Sequence, residues 1–322
     1  MSYPIVNMPK SLAGALAAGM PVPINQFLSL AIPPTPTDRP AEEQMLEVLR
    51  QRNGALDRIF YHVEPQDEAR VTQMDHQSGS IIVVPPERED RLLYFADAVE
   101  FLDDASVCEN VIGISLAGVG SSPIGAVALA RDVATVKQGP VAAIVSGYGV
   151  DDVVYEGLGG WLFLRETNRL EFAIEQVTNA LSKVATLPQV KTTIEVMDSI
   201  GSGPDLVNLK SIIRSHHVKR LRWLVGHSKG NLLISSAISE LAMEGTDLSS
   251  TLAQIRIVLL SALSALPQDV GLQYQIIGDM DVLGWVNSRL NIGHKLVHGA
   301  MHHLNRELPF HLNAQQELAL IQ

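Results

Sequence analysis

One pentapeptide has residue types and spacing that can do chemistry: Gly226-His227-Ser228-Lys229-Gly230. An apolar run, Leu221-Arg222-Trp223-Leu224-Val225, leads into it, and Asn231 to Ile238 reads as a helix after it. Strand, G-x-S-x-G, helix is the context of a nucleophile elbow. The serine must sit on a turn too tight for relaxed backbone, and the glycines let strand and helix pass close to it. The helix then turns its positive N-terminus toward the hydroxyl. Ser228 is the candidate nucleophile. His227 lies inside the turn and is expected to pack beneath it rather than to titrate in catalysis.

The elements that must hold such a turn are readable from Ser80 onward. Short, continuous apolar runs predict strands over 81–84, 111–116, 141–145, 192–197, 221–225, 255–260, 273–277 and 295–298. Helical periodicity separates them over 87–102, 167–184 and 204–216. Ser122-Pro123 starts a further helix, and Gly139-Pro140 stops it. Runs without in/out alternation imply strands buried on both faces. The expected fold is α/β, a doubly wound, mostly parallel sheet with helices on both faces. Before it, six prolines between 21 and 40 predict an extended arm, 41–59 a helix and 62–79 a polar loop. Residues 1–79 thus read as an arm and helix packed on a catalytic domain at 80–322.

Composition narrows the function classes. The 322 residues are 46% hydrophobic and 18% charged, as in an ordinary globular chain with room for a large core. The net charge of −11, without a basic cluster, argues against nucleic acid and anionic membranes as partners. Cys108 is the single cysteine, so no internal disulfide and no cysteine metal cluster can form. Lys10 followed by Ser11 to Met20 resembles a poor signal peptide, but it is Ala/Gly-rich with one positive charge. No run is long enough for an integral membrane segment, and the expected location is cytoplasmic.

From about Val141 to the C-terminus the chain resembles an α/β-hydrolase, a family whose catalytic order is nucleophile, acid, histidine. The elbow carries most of the resemblance. The family's acid follows a late strand as G-x-x-D, and Gly278-Asp279-Met280-Asp281 selects Asp281, with Asp279 as the alternative. Either aspartate would also serve as a turn cap. The family's histidine follows the last strand as G-x-x-H, and Gly299-Ala300-Met301-His302 selects His302, with His303 beside it. His62, His76, His216, His217, His294 and His311 are read as structural or exposed.

The resemblance also implies two backbone donors for an oxyanion. One is the N–H of Lys229, after the nucleophile. The other is assigned to the N–H of Tyr148 in Ser146-Gly147-Tyr148-Gly149, where Ser146 replaces the family's histidine. This choice assumes that the strand over 141–145 stands in the family's third position. The rival is Ala117-Gly118-Val119-Gly120-Ser121-Ser122, also readable as a phosphate loop. It lacks the Lys-Ser/Thr of a P-loop, and Pro123 occupies the last glycine position of G-x-G-x-x-G. Residues 150–166 read as a lid or acyl-pocket wall, and Trp285 as lining the same pocket.

The implied activity is a soluble serine hydrolase for a carboxylic ester or thioester with a small-molecule or lipid-like acyl group. It calls for no metal or organic cofactor. Two alternatives stay open: an acyltransferase using the same acyl-serine, and a non-catalytic binding protein on the same fold.

Overall fold

Ile81–Val84, Gly113–Leu116, Val141–Ile144 and Trp223–His227 are buried at every position, as continuous apolar runs demand of strands covered on both faces. They belong to a computed structural model that describes residues 54, 57–72, 77–87, 91–118, 121–146, 203–267, 270–289 and 291–322. The Pro-rich arm, most of the helix over 41–59, Tyr148, the 150–166 stretch, the helix over 167–184 and the strand over 192–197 lie outside the described residues.

Eight strands form one sheet among the described residues. They are β1 (Ile81–Val84), β2 (Leu93–Phe95), β3 (Gly113–Leu116), β4 (Val141–Ile144), β5 (Trp223–His227), β6 (Arg256–Leu260), β7 (Leu272–Gly278) and β8 (Lys295–Val297). Their order is β2-β1-β4-β3-β5-β6-β7-β8. β1 is antiparallel to both β2 and β4, and every pairing from β4 to β8 is parallel. Chain order and sheet order part company at β3, which separates β4 from β5.

The helices are α1 (Pro65–Val71), α2 (Ala98–Asp103), α3 (Ala105–Cys108), α4 (Pro123–Lys137), α5 (Pro204–Arg214), α6 (Lys229–Met243), α7 (Leu248–Thr251), α8 (Val282–Val286) and α9 (Ala314–Leu320). Alternate residues of each strand enter opposite layers. Ile114, Leu224, Ile257 and Leu259 pack with Leu209 and Ile212 of α5 and Ile234 and Ile238 of α6. Val141, Val225, Val258 and Leu260 pack with Leu129 and Val133 of α4 and Leu318 of α9. The sheet is thereby covered on both faces. Among the described residues, no helix is long and apolar enough to cross a membrane.

Local signals explain the ends of α4. The Ser122 hydroxyl accepts the Ile124 N–H at 3.1 Å, Pro123 opens the first turn, and Gln138 closes the last with φ 54°. Two expectations fail. Residues 87–102 do not form one helix: β2 occupies Leu93–Phe95, and α2 starts only after Asp97, whose carboxylate accepts the Glu100 N–H. A three-residue edge strand is too short to show a period of two, so its apolar residues pass for helical ones. The polar stretch 62–79 is not all loop, because α1 opens on Pro65. The Asp67 carboxylate of α1 accepts a buried fork from Arg131 of α4, at 2.8 and 2.9 Å.

Candidate active site

Ser228 sits between β5 and α6 with φ 53° and ψ −116°. A side chain held at positive φ costs roughly 1–3 kcal/mol, which the surroundings must offset. Here the Ser228 N–H donates to the Leu260 carbonyl and the Ser228 carbonyl accepts the Asn231 N–H, both at 3.0 Å. The buried Asn231 amide adds two donations, to the carbonyls of Leu260 and Ala262, both at 2.8 Å. Both glycines of the turn are required by close approach. A Cβ on Gly230 would overlap the Leu116 carbonyl at the end of β3, and one on Gly226 would lie 2.9 Å from the Asn231 nitrogen.

His302, in the loop after β8, reaches both partners. Its Nε2 is 3.0 Å from Ser228 Oγ, and its Nδ1 is 2.7 Å from Asp281 Oδ1. A carboxylate only accepts, so Nδ1 carries the proton and Nε2 offers its lone pair to the serine hydroxyl. Asp281, after β7, is fully buried. Its Oδ1 also accepts the Gly284 N–H at 2.6 Å and so caps α8. Asp281 Oδ1 thus both caps α8 and meets His302 Nδ1. Its Oδ2 is buried and has no hydrogen-bond partner among the described residues.

The neighbouring alternatives point elsewhere. Asp279 accepts from Gly299 N–H at 2.7 Å and lies 3.1 Å from Nδ1 of the exposed His298. His303 Nε2 donates to the Pro309 carbonyl at 3.1 Å, and burial lowers the pKa of its ring. Trp285 is buried, and the 150–166 stretch it is expected to share a pocket with lies outside the described residues. Trp285 packs with Leu263 and Ile277 and donates its indole N–H to the Gly278 carbonyl at 2.9 Å. Among the described residues, no group of three or more His, Cys, Asp or Glu could hold a metal ion.

The strand that borders β5 on the α4 side is β3, not β4. The loop beside Ser228 is accordingly the one that starts Ala117-Gly118, where a Cβ on Gly118 would lie 3.3 Å from Ser228 Cβ. Tyr148 follows β4, one strand further out, and itself lies outside the described residues. Lys229, the first residue of α6, is buried rather than turned to solvent.

Two residues at this centre escape sequence reasoning. The buried Tyr61 hydroxyl is 2.7 Å from the Gly118 nitrogen and 2.7 Å from Nδ1 of His227. Burial pushes its pKa upward. The buried Asp57, one helical turn earlier, accepts from the N–H groups of Ser122 and Gly125 at 2.8 and 3.0 Å. It also accepts from the hydroxyls of Ser121 and Ser122, at 3.0 and 2.5 Å. Burial outweighs these donors and raises its pKa to about 7. A lone Asp and a lone Tyr four residues apart carry no signal beyond one helical turn. No protein-family model matches the chain, and neither does any curated protein.

Proposed function

We propose that this chain is a serine hydrolase of the α/β-hydrolase type, cleaving a carboxylic ester or thioester through an acyl-serine intermediate. One observation carries the reading: Asp281, His302 and Ser228 form a continuous hydrogen-bonded array that ends on a serine held at φ 53°. In this reading Ser228 Oγ attacks the acyl carbon while His302 Nε2 takes its proton and then returns it to the leaving group. Asp281 holds the useful tautomer and stabilises the imidazolium. Its second carboxylate oxygen is buried and without a partner among the described residues. Water then frees the acyl group.

The Lys229 N–H, at the first position of α6, is the proposed first oxyanion donor. The second is sought in the loop after β3 rather than at Tyr148, because β3 is the strand beside the elbow. Within that loop the Gly118 N–H is already engaged by Tyr61. The run of parallel strands with antiparallel β1 near one edge also supports the family assignment. The proposed substrate is a small-molecule or lipid-like acyl compound.

The test is covalent labelling with a fluorophosphonate, followed by peptide mapping and by turnover of a panel of p-nitrophenyl esters. The expected result is one adduct, on Ser228, and turnover that labelling abolishes. A folded protein without that adduct would sink the reading. Ester turnover diverted to an added alcohol would recast the enzyme as an acyltransferase.

A further inference from the structure

We infer that Tyr61 and His227 are positioning residues for His302, joined to it by a hydrogen-bond chain that runs from the loop after β3 to the His302 backbone. The inference rests on the reading of His302 as the general base.

Each proton in the chain is fixed by what its neighbour can accept. The His302 carbonyl, 2.9 Å from Nε2 of His227, can only accept, so Nε2 carries a proton. Burial and the neighbouring His302 push the His227 pKa down to about 3, so the ring is neutral and its Nδ1 is an acceptor. Tyr61 Oη must then donate to Nδ1 at 2.7 Å, and its lone pair receives the Gly118 N–H at 2.7 Å. The two Tyr61 links are buried and the one to the His302 carbonyl is partly buried, with Tyr61 and His227 at 3% and 1% exposure, so water does not replace them cheaply.

The position of Tyr61 is itself held. Its N–H donates to the Asp57 carbonyl at 2.7 Å, and the Asp57 carboxylate grips the N-terminal turn of α4. The segment after His302 docks on the turn at 57–61. The Leu304 N–H donates to the Phe60 carbonyl and the Asn305 amide to the Arg58 carbonyl, both at 2.7 Å. The Phe60 ring meets the His302 ring edge-on at 5.8 Å. Residues 57–61 thus touch the backbone on both sides of the serine–histidine pair without supplying a reacting atom.

Histidine at 227 is decisive because it presents an acceptor and a donor at opposite ends of one rigid ring. Glutamine can keep the far donor toward the His302 carbonyl, whereas asparagine keeps only the near acceptor for Tyr61. The full-length protein and its Tyr61→Phe, His227→Gln and His227→Asn variants are compared in two ways. The first is the proton NMR signal of the His302 Nδ1–H. The second is kcat and KM for p-nitrophenyl acetate across pH, with melting curves to certify folding.

His227→Asn is expected to lose the Nδ1–H signal and about 100-fold in kcat, the scale of a base displaced by about 1 Å, with KM nearly unchanged. His227→Gln should keep the signal and at least ten times the His227→Asn rate. Tyr61→Phe should fall between them and shift the acid limb of the pH profile. Equal losses in Gln and Asn variants that melt alike, or an Nδ1–H signal indifferent to all three, would overturn the inference. A wild-type protein inert to esters but with this NMR pattern would sink the hydrolase reading while upholding the positioning chain.

Discussion

Two aspartate–histidine pairs are built by the same two loops, those after β7 and β8, and they differ chiefly in burial. Asp281 Oδ1 lies 2.7 Å from His302 Nδ1, with the Asp281 side chain 0% and that of His302 11% exposed. Asp279 Oδ2 lies 3.1 Å from His298 Nδ1, but the His298 side chain is 85% exposed. Water competes for every contact of the outer pair, which is worth about 0–1 kcal/mol and fixes no orientation. The inner pair has no such fallback, so its geometry is obligatory. Asp279 instead shapes the turn at Gly299, whose N–H it accepts. The residue types and their order along the chain are the same in both pairs. Enclosure decides which of them can direct a proton.

The largest test of this contrast is kinetic. Asp281→Asn should lower kcat on p-nitrophenyl acetate by about 10⁴-fold, because the amide favours the wrong tautomer. Asp279→Asn should cost under about 2-fold, as an exposed pair does. Similar losses in the two variants would break the comparison.

Next in size is acid stability, where buried groups should dominate. The His227 pKa is depressed from 6.5 to about 3, so it contributes stability present above pH 6.5 and lost as pH falls through about 3. Melting midpoints followed from pH 7 to pH 3 should therefore drop less steeply in His227→Gln than in the wild type. Asp57 works in the opposite direction. Its pKa is raised from 3.8 to about 7, so its contribution is full below pH 3.8 and lost as pH rises through about 7. Asp57→Asn should flatten the decline in melting midpoint between pH 5 and pH 8, and an unchanged slope would remove Asp57 from the account. The smallest effect belongs to the outer pair. His298→Ala should change unfolding free energy by less than about 1 kcal/mol in denaturant titration, with the difference vanishing in about 1 M salt.

These contrasts also explain which features the sequence makes legible. The elbow is a local string flanked by its own strand and helix, so Gly226 to Gly230 is readable without any long-range information. Continuous apolar runs give every described strand but β2 to within about two residues, and Ser122-Pro123 gives the start of α4. Asp281 and His302 are reachable only by position after a strand. Their neighbours Asp279 and His303 satisfy the same rule nearly as well, and burial, which separates them, is not written in the local sequence.

The second oxyanion loop is harder still. Its choice depends on which strand borders β5, and β3 lies between β4 and β5 although it precedes both in the chain. Tyr148 is favoured only when the strand over 141–145 is given the family's third position, and counting elements along the chain does not reveal which strand borders β5. Asp57 and Tyr61 are beyond sequence reasoning altogether, because their partners at Ser122 and His227 are 65 and 166 residues away.

That separation has a kinetic meaning. The Ser228–His302 contact spans 74 residues, and the Tyr61–His227 contact spans more than half the chain. Contacts of this range require the loops between them to close, and a larger mean sequence separation of contacts goes with slower folding. The elbow is flanked by β3 and β6, whereas His302 follows β8, which pairs with β7. The turn at 57–61 contacts both regions. On the reading of Ser228 as the nucleophile, regain of activity reports the formation of these long-range contacts, which helical signal alone does not require.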